Sequence, residues 1–298
     1  MTATKLEPDV RRTAEATPPV RRSAVSPLSM AVLGAATLYF LLPIFWLVVA
    51  ATKSTGDLTS TFGLWFADFH LVDNLRAVAE FQDGVFFRWL GNSALYSLGG
   101  ATVGTLLAAM AGYALAKYEF RGRELTFSVI LGGVLVPYTA LAVPLFLLLA
   151  EGGLTNSVWS VLLPSMISPF GVYLARIYAA ASVPGELLEA GRVDGASESR
   201  LFFTMALRLM APALVTIFLF QFVAVWNNFL LPLVMLSSND KYPVTLGLYT
   251  LNTQLTLVPE LKAIIVTASL LSVLPLVIAF LCLQRFWRSG LAAGSVKA

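Results

Sequence analysis

Six apolar blocks, about residues 28–52, 89–113, 125–149, 154–175, 211–236 and 263–284, run through the chain without a single Asp, Glu, Lys or Arg. Each is about 20 residues or longer, the length a helix needs to cross a hydrocarbon layer of about 30 Å. The pattern predicts an all-α membrane protein with six transmembrane helices. Two polar segments between the blocks are long enough to fold on their own. Residues 53–88 hold Trp65, Phe66, Phe69 and Phe81 among acids, and VDNLRAVAEF within them reads as a short amphipathic helix with Leu75, Val78 and Ala79 on one face. Residues 182–203, SVPGELLEAGRVDGASESRLFF, form the other.

The second segment carries helix start and stop signals in sequence. Pro184 suits a first helical turn, with Ser182 or Val183 at the cap. Glu186 and Glu189 favour the positive end of that helix, and Leu187, Leu188 and Val193 are available for burial. Gly195 can take a left-handed stop, and Ser197 can cap a second helix. In that second helix Leu201, Met205 and Leu209 recur every four residues, flanked by Phe202. The prediction is a helix–turn–helix over 182–209.

The blocks themselves are interrupted. Pro43, Pro137, Pro144, Pro164, Pro169, Pro212, Pro232 and Pro275 each free backbone groups that a neighbour or a wet cavity must satisfy. These are either kinks in a packed bundle or, at VPYTALAVP (136–144), a bend around a central pathway. Gly100 and Gly104, four apart, allow close helix approach. Trp89, Trp159 and Trp287 stand at block ends, where interfacial anchors sit.

Charge adds orientation. Fifteen of the twenty Lys and Arg residues fall in 1–27, 114–124, 176–210 and 285–298. By the positive-inside rule those segments, and both termini, are cytoplasmic. The tail 1–27 has few large apolar residues and reads as disordered, not as a signal peptide. The expected division is therefore a tail 1–27, a transmembrane domain 28–290 and a cytoplasmic tail 291–298. One Cys (Cys282) and one His (His70) leave no disulfide framework, thiolate metal site or His-centred catalytic set.

No block carries a formal charge, which argues against a proton-driven carrier and leaves sodium coupling through backbone carbonyls open. The polar groups at depth are neutral: Gln221, Trp226, Asn227 and Asn228 in the fifth block, with Asn92, Ser93, Tyr96 and Tyr138 as weaker candidates. Unpartnered amides in lipid are costly, so these groups face protein or water. They are either interhelical hydrogen bonds or a sugar-binding surface, in which a ring stacks on C–H faces and amides bind hydroxyls. The hairpin has two readings as well, a passive amphipathic element or a docking surface. Its acids Glu186, Glu189, Asp194 and Glu198 offset its arginines, whereas a passive helix on an anionic leaflet would be basic.

EAGRVDGAS, followed by ALRLMAP, resembles the coupling motif of binding-protein-dependent ABC importer permeases. Glu189, Ala190 and Gly195 match that motif; Gly191 stands for its second Ala, and Arg208 stands where Pro follows Leu207. WNNFLLPLVMLSSNDKYPVTLGL (226–248), QRFWRSGLAAGSVKA (284–298) and NSALYSLGGATVGTLLAAMAGYALAKYEFRGR are similar to the carbohydrate branch, specifically the smaller maltose-type permease. The resemblance covers about 28–298. It implies a second homologous permease, two ATPase subunits that carry ATP and Mg, an extracellular solute-binding protein and a sugar substrate, an oligosaccharide or disaccharide. It also implies that Glu186, Glu189, Ala190, Gly191, Asp194 and Gly195 contact an ATPase, and that the home is a bacterial or archaeal cytoplasmic membrane. No P-loop occurs, so this chain is expected to hold no nucleotide or other cofactor and to catalyse nothing. No nucleic-acid partner is expected. The alternative is a sodium-coupled secondary carrier acting without an ATPase.

Overall fold

The computed structural model describes residues 26–294, and the expected tails lie mostly outside that range. Along the chain come α1 (Pro27–Ala51), α2 (Asp57–Ser60), α3 (Leu71–Glu80), α4 (Val85–Lys117), α5 (Arg123–Leu135), α6 (Tyr138–Glu151), α7 (Val158–Ser165) and α8 (Pro169–Ser182). Then follow α9 (Gly185–Val193), α10 (Glu198–Leu201), a π turn (Phe202–Ala206), α11 (Leu207–Trp226) and α12 (Leu230–Met235). A 3₁₀ turn (Asn239–Lys241), α13 (Val244–Thr253) and α14 (Leu261–Gly294) complete the described chain.

Five of these stretches are long and apolar enough to cross a membrane. The sixth expected span is the pair α5–α6, bent by 104° at Val136–Pro137. Proline there removes a helical hydrogen bond and pushes the residue before it out of the helical region.

The described residues divide into two units, 26–44 and 45–294. The described part of the first is the apolar start of α1, where Leu28, Leu38, Tyr39 and Phe40 are all exposed. In the second unit α4 is the central post. Ser93, Ser97, Gly100, Gly104, Ala108 and Gly112 make a stripe of small buried residues at helical spacing. Across that stripe α8 and α11 come close. A side chain at Gly104 would collide with Gln221 of α11 and come within 2.9 Å of the Met166 carbonyl oxygen. Helix α5 is tied to α8 by Arg176, whose Nη2 donates to Glu124 at 2.7 Å and whose guanidinium sits 3.9 Å above the Phe127 ring.

The first turns of α4 hold the loop before α13. Trp89 Nε1 donates to the Asn239 carbonyl (3.0 Å) and side-chain oxygen (2.9 Å). Asn92 donates to the carbonyls of Asp240 (2.8 Å) and Tyr242 (3.0 Å), and the Tyr96 hydroxyl to Lys241 O (2.9 Å). Trp89 is therefore 1% exposed and bonded internally, where the sequence predicts an interfacial anchor. Trp159, 51% exposed, has the accessibility an anchor needs.

Residues 53–88 do contain the expected helix, but another face is buried. Asn74 and Val78 point inward while Leu75 and Ala79 are exposed. The reason is a cap: Asn74 Nδ2 donates to Ala51 O and Lys53 O, both at 2.9 Å, closing the carbonyl end of α1. Lys53 is buried as well, its ammonium donating to Thr61 Oγ1 (2.9 Å) and Phe62 O (2.7 Å).

Candidate functional site

Three helix breaks lie at or next to one cavity of about 460 Å³, the first of them reaching it through Tyr138. They are Val136–Pro137 between α5 and α6, Met166–Ser168 between α7 and α8, and Asn227–Phe229 between α11 and α12. Each has a local cause. Pro137 ends α5, and Pro169 starts α8 with Ser168 Oγ accepting from Gly171 N at 3.1 Å. Asn227 and Asn228 interrupt the fifth block, which continues only as the short α12. Breaks of this kind are stable at membrane depth where they line a cavity.

The lining brings together four of the sequence-predicted residues: Tyr138, Gln221, Asn227 and Asn228. Asn228 Nδ2 donates to the Tyr138 hydroxyl at 3.2 Å, and Asn227 Nδ2 to Val223 O at 2.9 Å. Gln221 Nε2 donates to Ser165 O at 2.7 Å, while its Oε1 is buried without a partner. The lining also includes Ser165, Ser168, Phe170 and Phe220, and none of its residues is charged. The sequence reading missed these four, although Ser168–Pro169 is a legible helix start. Neutral hydrogen-bonding groups beside aromatic rings suit a neutral, hydroxyl-rich ligand with apolar faces.

Three expected pathway residues lie elsewhere. Trp226 is 3% exposed, stacks on Phe222 at 5.7 Å, and borders an apolar groove with Phe87, Leu90 and Ile278. Helical periodicity explains the separation: Gln221, Ala224 and Val225 share the cavity face of α11, while Phe218, Phe222 and Trp226 form the adjacent stripe. Asn92 and Tyr96 are committed to the 240–242 carbonyls.

The predicted helix–turn–helix is present at 185–226. Pro184 stands one position outside α9 in extended conformation. Gly195 adopts φ +78°, and Ser197 Oγ accepts from Arg200 N at 3.4 Å. Leu188, Leu201 and Phe202 are buried with Tyr113, Ala179 and Val183 from α4 and the end of α8. Val193, expected inside, is 87% exposed at the tip. The four-residue stripe is also displaced. Leu201, Ala206 and Met210 are buried while Leu209 faces out, because the π turn inserts one residue. Gly191 has a direct reason: a methyl there would lie 2.5 Å from Leu201 Cδ2. Arg208 is exposed in the first turn of α11, just after the π turn.

The hairpin's acids divide into two groups. Glu186, Glu189 and Asp194 are exposed, as is Ala190, and these three carboxylates have no hydrogen bond or ion pair among the described residues. Glu198 accepts from Arg192 Nε (2.6 Å) and Nη2 (3.2 Å) and from the Tyr118 hydroxyl (2.7 Å). Burial, and then the adjoining Glu198 carboxylate, push the Tyr118 hydroxyl well above its usual range.

Residues 100–291 match the family described as "Binding-protein-dependent transport system inner membrane component". The chain is 38% identical over 216 residues to the arabinooligosaccharides transport system permease protein AraQ of Halalkalibacterium halodurans, covering 72% of this chain and 76% of that one. It is 31% identical over 281 residues to the lactose transport system permease protein LacG of Rhizobium radiobacter, covering 93% and 98%. Its fold is similar to a chain of a bacterial ABC transporter involved in the import of the acidic polysaccharide alginate, with TM-score 0.76, 22% identity and coverage of 87% and 95%. The family's members are transport permease subunits rather than enzymes. The chain, with its broken helices and its hairpin, belongs to the binding-protein-dependent inner membrane permeases.

Proposed function

We propose that this permease imports a neutral oligosaccharide or disaccharide, using ATP hydrolysed on partner subunits. The observation that carries the substrate class is the cavity beside the helix breaks: uncharged, with amides, hydroxyls and aromatic rings set among aliphatic side chains. The arabinooligosaccharide and lactose permeases it resembles support the same class. A phosphorylated polyol or a uronate would call for a cation, and the cavity lining offers none.

In this reading a second permease completes the pathway, and an external binding protein delivers the sugar to loops 53–88 and 237–261. Two ATPases carrying ATP and Mg sit beneath. The hairpin lies in the cytoplasm of a bacterial or archaeal cell with both termini on that side, as the Lys and Arg distribution supports. Glu186, Glu189 and Asp194, exposed and uncommitted, face a basic ATPase surface, and Ala190 lets that surface approach closely. Gly191 and Gly195 shape the turn that presents them. Closure of the ATPases pushes the hairpin and swings the bundle between inward- and outward-facing forms. The family match to binding-protein-dependent systems favours this over a sodium-coupled carrier.

The test pairs two variants in the complete importer. Glu189→Lys is expected to insert normally but to lose ATPase subunits on purification. The double change Asn227→Ala and Asn228→Ala is expected to keep them and to lose uptake. Full uptake by the first would sink the coupling role, and full uptake by the second would remove those amides from the pathway.

A further inference from the structure

The hairpin and α4 meet through two kinds of contact. One is the apolar bed of Leu188, Leu201, Phe202 and Tyr113, which excludes water but is non-directional and fixes no angle sharply. The other is the group of three around Glu198. Arg192 comes from the last turn of α9, Glu198 opens α10, and Tyr118 caps the end of α4. Two parallel N–H···O bonds from a planar guanidinium set an orientation as well as a distance. Tyr118 is itself held, its ring edge-on to Tyr113 at 5.7 Å and 90°.

We propose that Glu198 is a positioning residue whose carboxylate locks both arms of the hairpin to the end of α4, so that hairpin and post move as one body. The proposal rests on the reading of the hairpin as the ATPase contact. It adds where the push goes next. Glu198 is the hairpin acid least suited to receive a basic partner, because Arg192 and Tyr118 already occupy its oxygens. Glu186, Glu189 and Asp194 are the free ones. The far end of α4 holds the 239–242 loop through Trp89, Asn92 and Tyr96. A displacement at Glu198 therefore has a continuous path, through one long helix, to the loop at the opposite end. The clamp is half exposed, with side-chain accessibilities of 40% for Arg192 and 47% for Glu198. Exposed pairs add little to stability, so losing it should loosen transmission and leave the fold intact.

The experiment measures sugar imported per ATP hydrolysed by the complete importer in proteoliposomes, for Glu198→Gln and Tyr118→Phe. In both, ATPase subunits are expected to co-purify at the normal ratio and basal hydrolysis to stay within about twofold, while import per ATP falls about fivefold or more, the scale of coupling between linked sites. Tyr118→Phe removes a single oxygen and keeps the ring, so it reports even if the Glu198→Gln chain fails to fold. An unchanged ratio in both variants overturns the proposal. So does loss of the ATPases from Glu198→Gln, which would make Glu198 a docking residue. Glu189→Lys, run alongside, tests the underlying reading separately, since its failure is a complex that keeps its ATPases and imports normally.

Discussion

The two ends of α4 are fastened by opposite means. At one end Trp89, Asn92 and Tyr96 donate to backbone carbonyls of the 239–242 segment, and Trp89 and Tyr96 are each 1% exposed. At the other, Tyr118 donates to a half-exposed carboxylate that is shared with an arginine. Buried donors on carbonyls are costly to leave unmade. A solvated charge pair adds little to stability. The first end holds a loop in one shape, while the second sets the angle at which the hairpin meets α4.

That contrast sets an order of effects. Trp89→Ala removes a ring packed over Gly247 and two hydrogen bonds, and is expected to cost about 3–5 kcal/mol in detergent unfolding, as core aromatic truncations do. A cost near zero would show that the loop is held by other contacts. Asn92→Ala removes two bonds to carbonyls at a half-buried position and is expected to cost about 1–2 kcal/mol in the same measurement. Tyr118→Phe is expected to cost less than about 1 kcal/mol, with its effect appearing in transport coupling instead. If Tyr118→Phe destabilised the protein as much as Trp89→Ala, the two ends would not differ in kind. Gly191→Leu sharpens the comparison from within the hairpin. A bulky side chain against Leu201 is expected to force α9 off its bed at a cost of about 1–3 kcal/mol, the scale of overpacking, and to lower ATPase co-purification.

The hairpin was legible in the sequence because its signals are local. Gly195 and Ser197 declare a stop and a start within three residues, and the structure has both. Its apolar stripe was misread at Leu209 because a π turn follows no sequence period that alternation or heptads reveal. The cavity was legible only in part. Gln221, Asn227, Asn228 and Tyr138 stood out as amides and a phenol in apolar blocks, but Trp226 was grouped with them by sequence adjacency. One residue along a helix turns a side chain by about 100°, enough to move Trp226 to the neighbouring face. Asn92 and Tyr96 lie away from the cavity for a different reason. Their partners lie some 145 to 150 residues away, a pairing that no local pattern encodes.

The central claim is that this chain moves a neutral sugar with energy that enters through its hairpin. The most direct measurement is uptake of labelled disaccharide into proteoliposomes holding this chain with its partner permease, ATPases and binding protein. The account predicts uptake that requires both enclosed ATP and the binding protein, and that ignores a sodium gradient. Uptake by this chain alone, driven by sodium without ATP, would contradict it.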